Sequence, residues 1–161
     1  IATGNAYRLT NKAKITDFKL LSSEKEDENS KGNASIEYRP YHSTEKASAG
    51  IDGVIFNCTL DITSPLGYGY SHPEVAVLKN GATVMDFSQI KGNSPMHYTK
   101  QPYLSGCVSQ KNINRIANSP AALVTKSGKG NVIWFADDLN YRSYWFGGTK
   151  IFMNAVYFGR L

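Results

Sequence analysis

The chain has 161 residues, 41% hydrophobic and 12% aromatic, which suffices for one domain with a buried core and is too short for two of ordinary size. No apolar run approaches the ~20 residues that cross a bilayer, and the opening IATGNAYRLT has neither the basic head nor the apolar stretch of a signal peptide. The net charge of +5 comes from scattered single lysines and arginines, not a block that would grip phosphates, so neither a membrane span nor a nucleic-acid partner is expected.

Residues 1–6 read as a strand end turning at Gly4 into a short helix. Residues 22–33, SSEKEDENSKGN, carry no large apolar side chain and are expected to form a mobile acidic loop. Residues 43–50 suit one or two helical turns closed by glycine, and residues 53–60 form a strand with Asp61 at its exit. Residues 62–72, rich in Gly, Pro, Ser and Tyr, predict a long ordered loop of the kind that carries ligand contacts. Val75-Ala76-Val77-Leu78 and Ala82-Thr83-Val84-Met85 flank Lys79-Asn80-Gly81, which predicts an antiparallel hairpin. A loop punctuated by Pro95 and Pro102 follows, then a helix over 109–116 capped by the Ser109 hydroxyl. Residues 121–125 and 131–136 predict a second hairpin around Gly128-Lys129-Gly130, its second strand apolar on both faces and so interior to a sheet. Apolar residues at 151, 152, 155 and 156 predict a final helix closed by Gly159. Strands, hairpin and covering helix together give an α/β fold, one domain over residues 1–161.

Three groups of residues invite a chemical reading. His42-Ser43-Thr44-Glu45 has the spacing of two zinc ligands, but His72 and His97 stand apart from it with no carboxylate beside them, so it reads as an exposed polar turn and no metal site is expected. Cys58 and Cys107 are too few for a disulfide framework, lack zinc-knuckle spacing, and read as buried inert thiols. Asp137-Asp138-Leu139-Asn140-Tyr141-Arg142 follows an interior strand, where ligands of open α/β sheets gather, although an Arg beside two Asp residues also suits an ion pair that fixes the loop. Tyr144, Trp145 and Phe146, with Tyr68 and Tyr70, would frame a shallow pocket or a contact surface.

Several stretches together are familiar: residues 61–70 (DITSPLGYGY), 102–106 (PYLSG), 128–133 (GKGNVI), 140–145 (NYRSYW) and 148–155 (GTKIFMNA). They resemble the C-terminal, glutamine-amidotransferase-like domain that follows the catalytic domain in a group of bacterial zinc carboxypeptidases. The likeness spans roughly residues 50 to 161, and residues 1 to 10 more loosely; Ser64 stands where a histidine commonly precedes the Pro-Leu pair. The resemblance implies a flavodoxin-like three-layer sandwich of the class I amidotransferase type, of which this chain is the C-terminal portion with an antiparallel hairpin added. It aligns Gly4 with the nucleophilic cysteine and Ala136-Asp137-Asp138 with the His-Pro-Glu segment that holds the base, so this chain is expected not to be an enzyme.

On this likeness the chain is a non-catalytic accessory domain of an exported, hence periplasmic or extracellular, zinc carboxypeptidase. Zinc would belong to the upstream peptidase domain of the same polypeptide, and this chain would hold no cofactor. Asp61, Tyr68, Asp137, Asp138, Arg142 and Trp145 are the candidate binding or interdomain residues. The alternative is a stand-alone module that binds a small anionic or peptide-like ligand through Arg142 and the backbone near Gly4. An incomplete sheet would also expose apolar strands, which predicts a homodimer or tight packing by a neighbouring fragment.

Overall fold

The computed structural model describes residues 1–3, 6–16, 20–21, 50–86, 93–143 and 145–160. Gly4, the acidic stretch 22–33, the helical turns at 43–49, the His42–Glu45 pair and Tyr144 lie outside them. The described chain is mixed α/β, with a six-stranded sheet in the order β1-β6-β5-β4-β2-β3. The strands are β1 (Ala2–Thr3), β2 (Val54–Leu60), β3 (Glu74–Lys79), β4 (Asn93–Ser105), β5 (Pro120–Ser127) and β6 (Gly130–Phe135). The helices are α1 (Tyr7–Lys12), α2 (Gln110–Ile116) and α3 (Phe146–Phe158). Only β1 and β6 pair in parallel; every other neighbouring pair is antiparallel.

Local chemistry accounts for most of these elements. In β2, Val54, Phe56, Cys58 and Leu60 are buried and alternate with half-buried residues, the period of two of a strand. The β5–β6 hairpin turns through Gly128 and Lys129, with Gly128 at φ +58, a left-handed conformation that costs glycine nothing. The Ser109 hydroxyl accepts from the Asn112 N–H and starts α2 as the sequence predicts.

Three expectations need correction. Residues 82–84 form no strand, and Met85 makes only an isolated bridge to Leu20. Instead, the Asn80-Gly81 turn joins β3 to the start of β2: Asn80 Oδ1 accepts from the Gly53 N–H and the Gly81 N–H donates to the Ile51 carbonyl. The supposed loop around Pro95 and Pro102 is the long strand β4, between β2 and β5. Its prolines survive there because both fall in irregular pairing. Ser94 and Pro95 lie between the Asn93–Val124 and Met96–Ala122 pairs, and Pro102 lies in the stretch between Tyr98–Cys58 and Tyr103–Phe56. Gly159 stands at the C-cap of α3 as the sequence predicts, with an ordinary helical φ of −64, and a Cβ there would run into Ile133 and the Ala155 carbonyl. Val156, expected on the buried stripe of α3, is exposed, while Gly148, Ile151, Asn154 and Ala155 face inward.

The main core lies between α3 and one sheet face, built from Phe56, Leu60, Val77, Met96, Tyr98, Ile133 and Ile151 among others. A smaller cluster of Ala2, Met85, Leu123, Trp134 and Ala136 occupies the other face, where Ala6 at the start of α1 packs. Inside the main core sit two charges. Lys79 at the end of β3 and Asp137 just past β6 are both buried, with Lys79 Nζ 2.9 Å from Asp137 Oδ1. Tyr98 of β4 completes the group: Lys79 Nζ donates to its hydroxyl at 3.0 Å and the hydroxyl donates to Asp137 Oδ2 at 2.5 Å. Strands β3 and β6 are four steps apart in the sheet order, about 19 Å if the sheet were flat. The contact therefore requires the sheet to curl around the core, and the β4 irregularities supply that bend.

Breaking this pair leaves a buried ammonium with one neutral partner, the Tyr98 hydroxyl, among the described residues. Asp137→Ala is expected to cost about 3–5 kcal/mol in urea unfolding, whereas the double change Lys79→Met with Asp137→Leu should retain most of the stability. Equal losses from the single and double changes would contradict a buried, mutually dependent pair.

Candidate functional site

The turn after β2 is held by its own polar groups. Asp61 Oδ1 accepts from the Thr63 hydroxyl at 2.6 Å and the Thr63 N–H at 2.9 Å, and these bonds hold its exposed carboxyl below the usual carboxylate range. Ser64, in the position where the resemblance leads one to expect histidine, instead accepts from the Leu66 N–H and starts a single 3₁₀ turn with Pro65 at its first position.

Helix α3 then clamps the rest of that loop. Asn154, buried, donates through Nδ2 to the carbonyls of both Leu66 and Tyr68 at 2.9 Å. One turn earlier, Lys150 Nζ donates to the Gly69 carbonyl and lies 5.0 Å from the centre of the Tyr70 ring. The Tyr70 hydroxyl donates to the Gly147 carbonyl at 2.8 Å. Lys150 and Asn154 are four apart and so project from one helix face. The same helix begins against the chain that leaves β6. A Cβ at Gly148 would come within 2.5 Å of the Leu139 carbonyl oxygen, so this close approach needs glycine.

The candidate residues end up in different places. The exits of β2 and β6 point opposite ways, because three antiparallel pairings separate those strands. Asp137 points into the core, and its partner is Lys79 rather than Arg142. Asp138, exposed, accepts from the Asn140 N–H. Arg142 sits in a left-handed conformation, φ +51, with its guanidinium 5.1 Å from the Tyr141 ring centre. Ala136 is buried in the smaller core cluster at the end of β6. Cys58 is buried, and its burial followed by the nearby Asp137 charge pushes its thiol well up; Cys107, expected to be buried, is exposed. Tyr98 is likewise pushed well up, by burial first. Among the described residues no group of three or more His, Cys, Asp or Glu side chains could hold a metal ion.

Trp145 has an unforeseen role. The Leu60 N–H bonds the Pro73 carbonyl, so in the alternating ladder Val75, Val77 and Lys79 face β2, while the backbone of Glu74, Ala76 and Leu78 faces outward. Strand β3 is a sheet edge, and Trp145 Nε1 donates to the outward Ala76 carbonyl at 3.1 Å, occupying part of that edge. Beside it lies a shallow cavity of about 450 Å³ lined by Tyr70, Glu74, Val75, Trp145 and Phe146 among others, so Tyr70, Trp145 and Phe146 do meet as the sequence suggests. Tyr68 goes elsewhere, its ring 5.5 Å from that of Phe158.

The surface that sequence reading missed is the outer side of α3. Phe146 is 82% exposed and Tyr157 71%, with Met153 and Val156 also exposed. The spacing 146, 153, 157 marks one helix face and was legible, but the apolar run 151–158 reads as core whichever way the helix is turned. In comparisons with known proteins, no family model, no curated protein and no solved structure matches this chain. No helix among the described residues is long and apolar enough to cross a membrane.

Asn154→Ala would leave two loop carbonyls without their buried donor. It is expected to cost about 1–3 kcal/mol and to speed amide exchange in residues 66–70 ahead of the rest of the protein. Exchange in that loop identical to the unaltered protein would show that the clamp does not hold it.

Proposed function

We propose that this chain is a non-catalytic accessory domain that packs through the outer face of α3 against a neighbouring domain, the peptidase domain of an exported zinc carboxypeptidase. The observation that carries the reading is the run of exposed apolar side chains on that face: Phe146, Met153, Val156 and Tyr157. Aromatic side chains and methionine grouped on one helix face are the composition of an interface core.

The family part of the proposal, including a flavodoxin-like class for the sheet, rests on the resemblance in sequence. Two features support it. Two of the segments that carry the likeness, residues 61–70 and 148–155, bind one another through Asn154 and Lys150. Strands β1 and β6 are parallel neighbours, with Thr3 opposite Phe135, so they leave the sheet at the same end, as a nucleophile strand and a base strand must if their residues are to meet. After β6 comes the Ala136 methyl, and the following Asp137 is committed to Lys79, which leaves neither residue as a free base at that exit. Under this reading the zinc belongs to the peptidase domain and the setting is periplasmic or extracellular.

The test is association of the purified chain with the separately produced polypeptide encoded upstream in the same reading frame. Phe146→Ser with Tyr157→Ser should weaken binding about 100-fold or more, with the thermal unfolding of the isolated chain little changed because both side chains are already in water. An unaltered affinity, or an upstream polypeptide without a peptidase zinc site, would contradict the proposal.

A further inference from the structure

We infer that a second surface, the cavity at the open end of the main core, binds a small carboxylate with an aryl or alkyl body. It lies between the C-terminal end of α3, the Ser64-Pro65-Leu66 turn and the β5–β6 hairpin, and encloses about 570 Å³. That falls within the range of about 300–1,000 Å³ that small-molecule sites occupy.

The cavity follows from a mismatch in length. Helix α3 ends at Phe158, and Asn131 Nδ2 marks the place by donating to the Gly159 carbonyl at 2.9 Å. The hairpin runs on past that point to the Ser127–Gly130 pair. The inner face of the hairpin therefore extends beyond the C-terminal end of α3, and Val124 is only half-buried there.

Two parts of the lining select the ligand. Leu66, Val124, Ile133 and Phe158 form an apolar wall, and the Phe158 ring is backed by Tyr68. Lys126 stands opposite Asn131 across the hairpin, and among the described residues no carboxylate lines the cavity. The Lys126 ammonium is thus the one charge that the described lining offers, and an anion is its complement. The carbonyl end of α3 carries partial negative charge, which directs the apolar body toward the helix end and the carboxylate toward Lys126. A neutral apolar molecule would leave Lys126 unused, and a cation would meet its like charge with no acidic partner in the lining among the described residues.

The probes are 4-phenylbutyrate and, as its matched cation, 4-phenylbutylamine, each titrated into the ¹⁵N-labelled chain. The carboxylate should give saturable shifts in the amides of Val124, Lys126, Ile133 and Gly159, and bind about tenfold or more tightly than the amine. Lys126→Gln, a change at an exposed side chain, should remove most of that preference, and Val124→Trp should abolish binding by filling the cavity. Scattered or non-saturating shifts, equal binding of the two probes, or a preference that survives Lys126→Gln would each overturn the inference. Because none of these shifts depends on a partner polypeptide, they can fail while the accessory-domain reading stands, and the reverse also holds.

Discussion

A lysine and an aspartate with no access to water, sharing one tyrosine hydroxyl, set the shape of this domain. Lys79 comes from the edge strand β3, Tyr98 from the interior strand β4, and Asp137 from the chain beyond β6. Each charge would be costly to bury alone, and the pair with its shared hydroxyl is what makes the burial tolerable. Meeting across four strand positions, the group demands a curled sheet and fixes the direction in which the chain leaves β6. The T-shaped packing of Phe56 on Tyr98, with ring centres 5.9 Å apart, holds the phenol from the side.

That direction of exit places everything downstream. With Asp137 turned inward, Leu139 is buried and meets Gly148 closely enough that α3 can start against it. Seated there, α3 presents Lys150 and Asn154 to the 66–70 loop and Ile151 and Ala155 to the core. Its outer side is left carrying Phe146, Met153 and Tyr157 in water. The apolar face proposed as an interface and the cavity at the other end of the helix are thus two consequences of one placement. The first arises because the helix has more apolar sides than the core can use, the second because it is shorter than the hairpin beneath it.

Elements whose signals are local were legible in the sequence. The alternation in 54–60, the glycine turn of the second hairpin and the Ser109 cap each depend on residues within a few positions of one another, and each is found. What depends on long-range pairing was not. Pro95 and Pro102 signal a loop to any local reading, and only the irregular pairing of β4 with its neighbours makes them compatible with an interior strand. The second arm of the first expected hairpin failed for the opposite reason: Ala82-Thr83-Val84-Met85 has strand composition, but β3 found its partner in β2. Asp137 drew attention for its place after a strand, yet Lys79, its partner, sat unremarked in a turn 58 residues away. Trp145 was singled out as a contact residue, and nothing in its neighbourhood foretold that its indole would bond the edge of β3.

The claim on which this account rests is that the Lys79 ammonium is sealed in the core against Asp137 and Tyr98. Nitrogen-detected NMR of the lysine side chains at neutral pH tests it directly. One ammonium resonance, assigned to Lys79 by its loss in Lys79→Met, should exchange slowly with solvent and show cross-relaxation to the Tyr98 ring. A Lys79 ammonium that exchanges as fast as those of the surface lysines, with no contact to Tyr98, would contradict it.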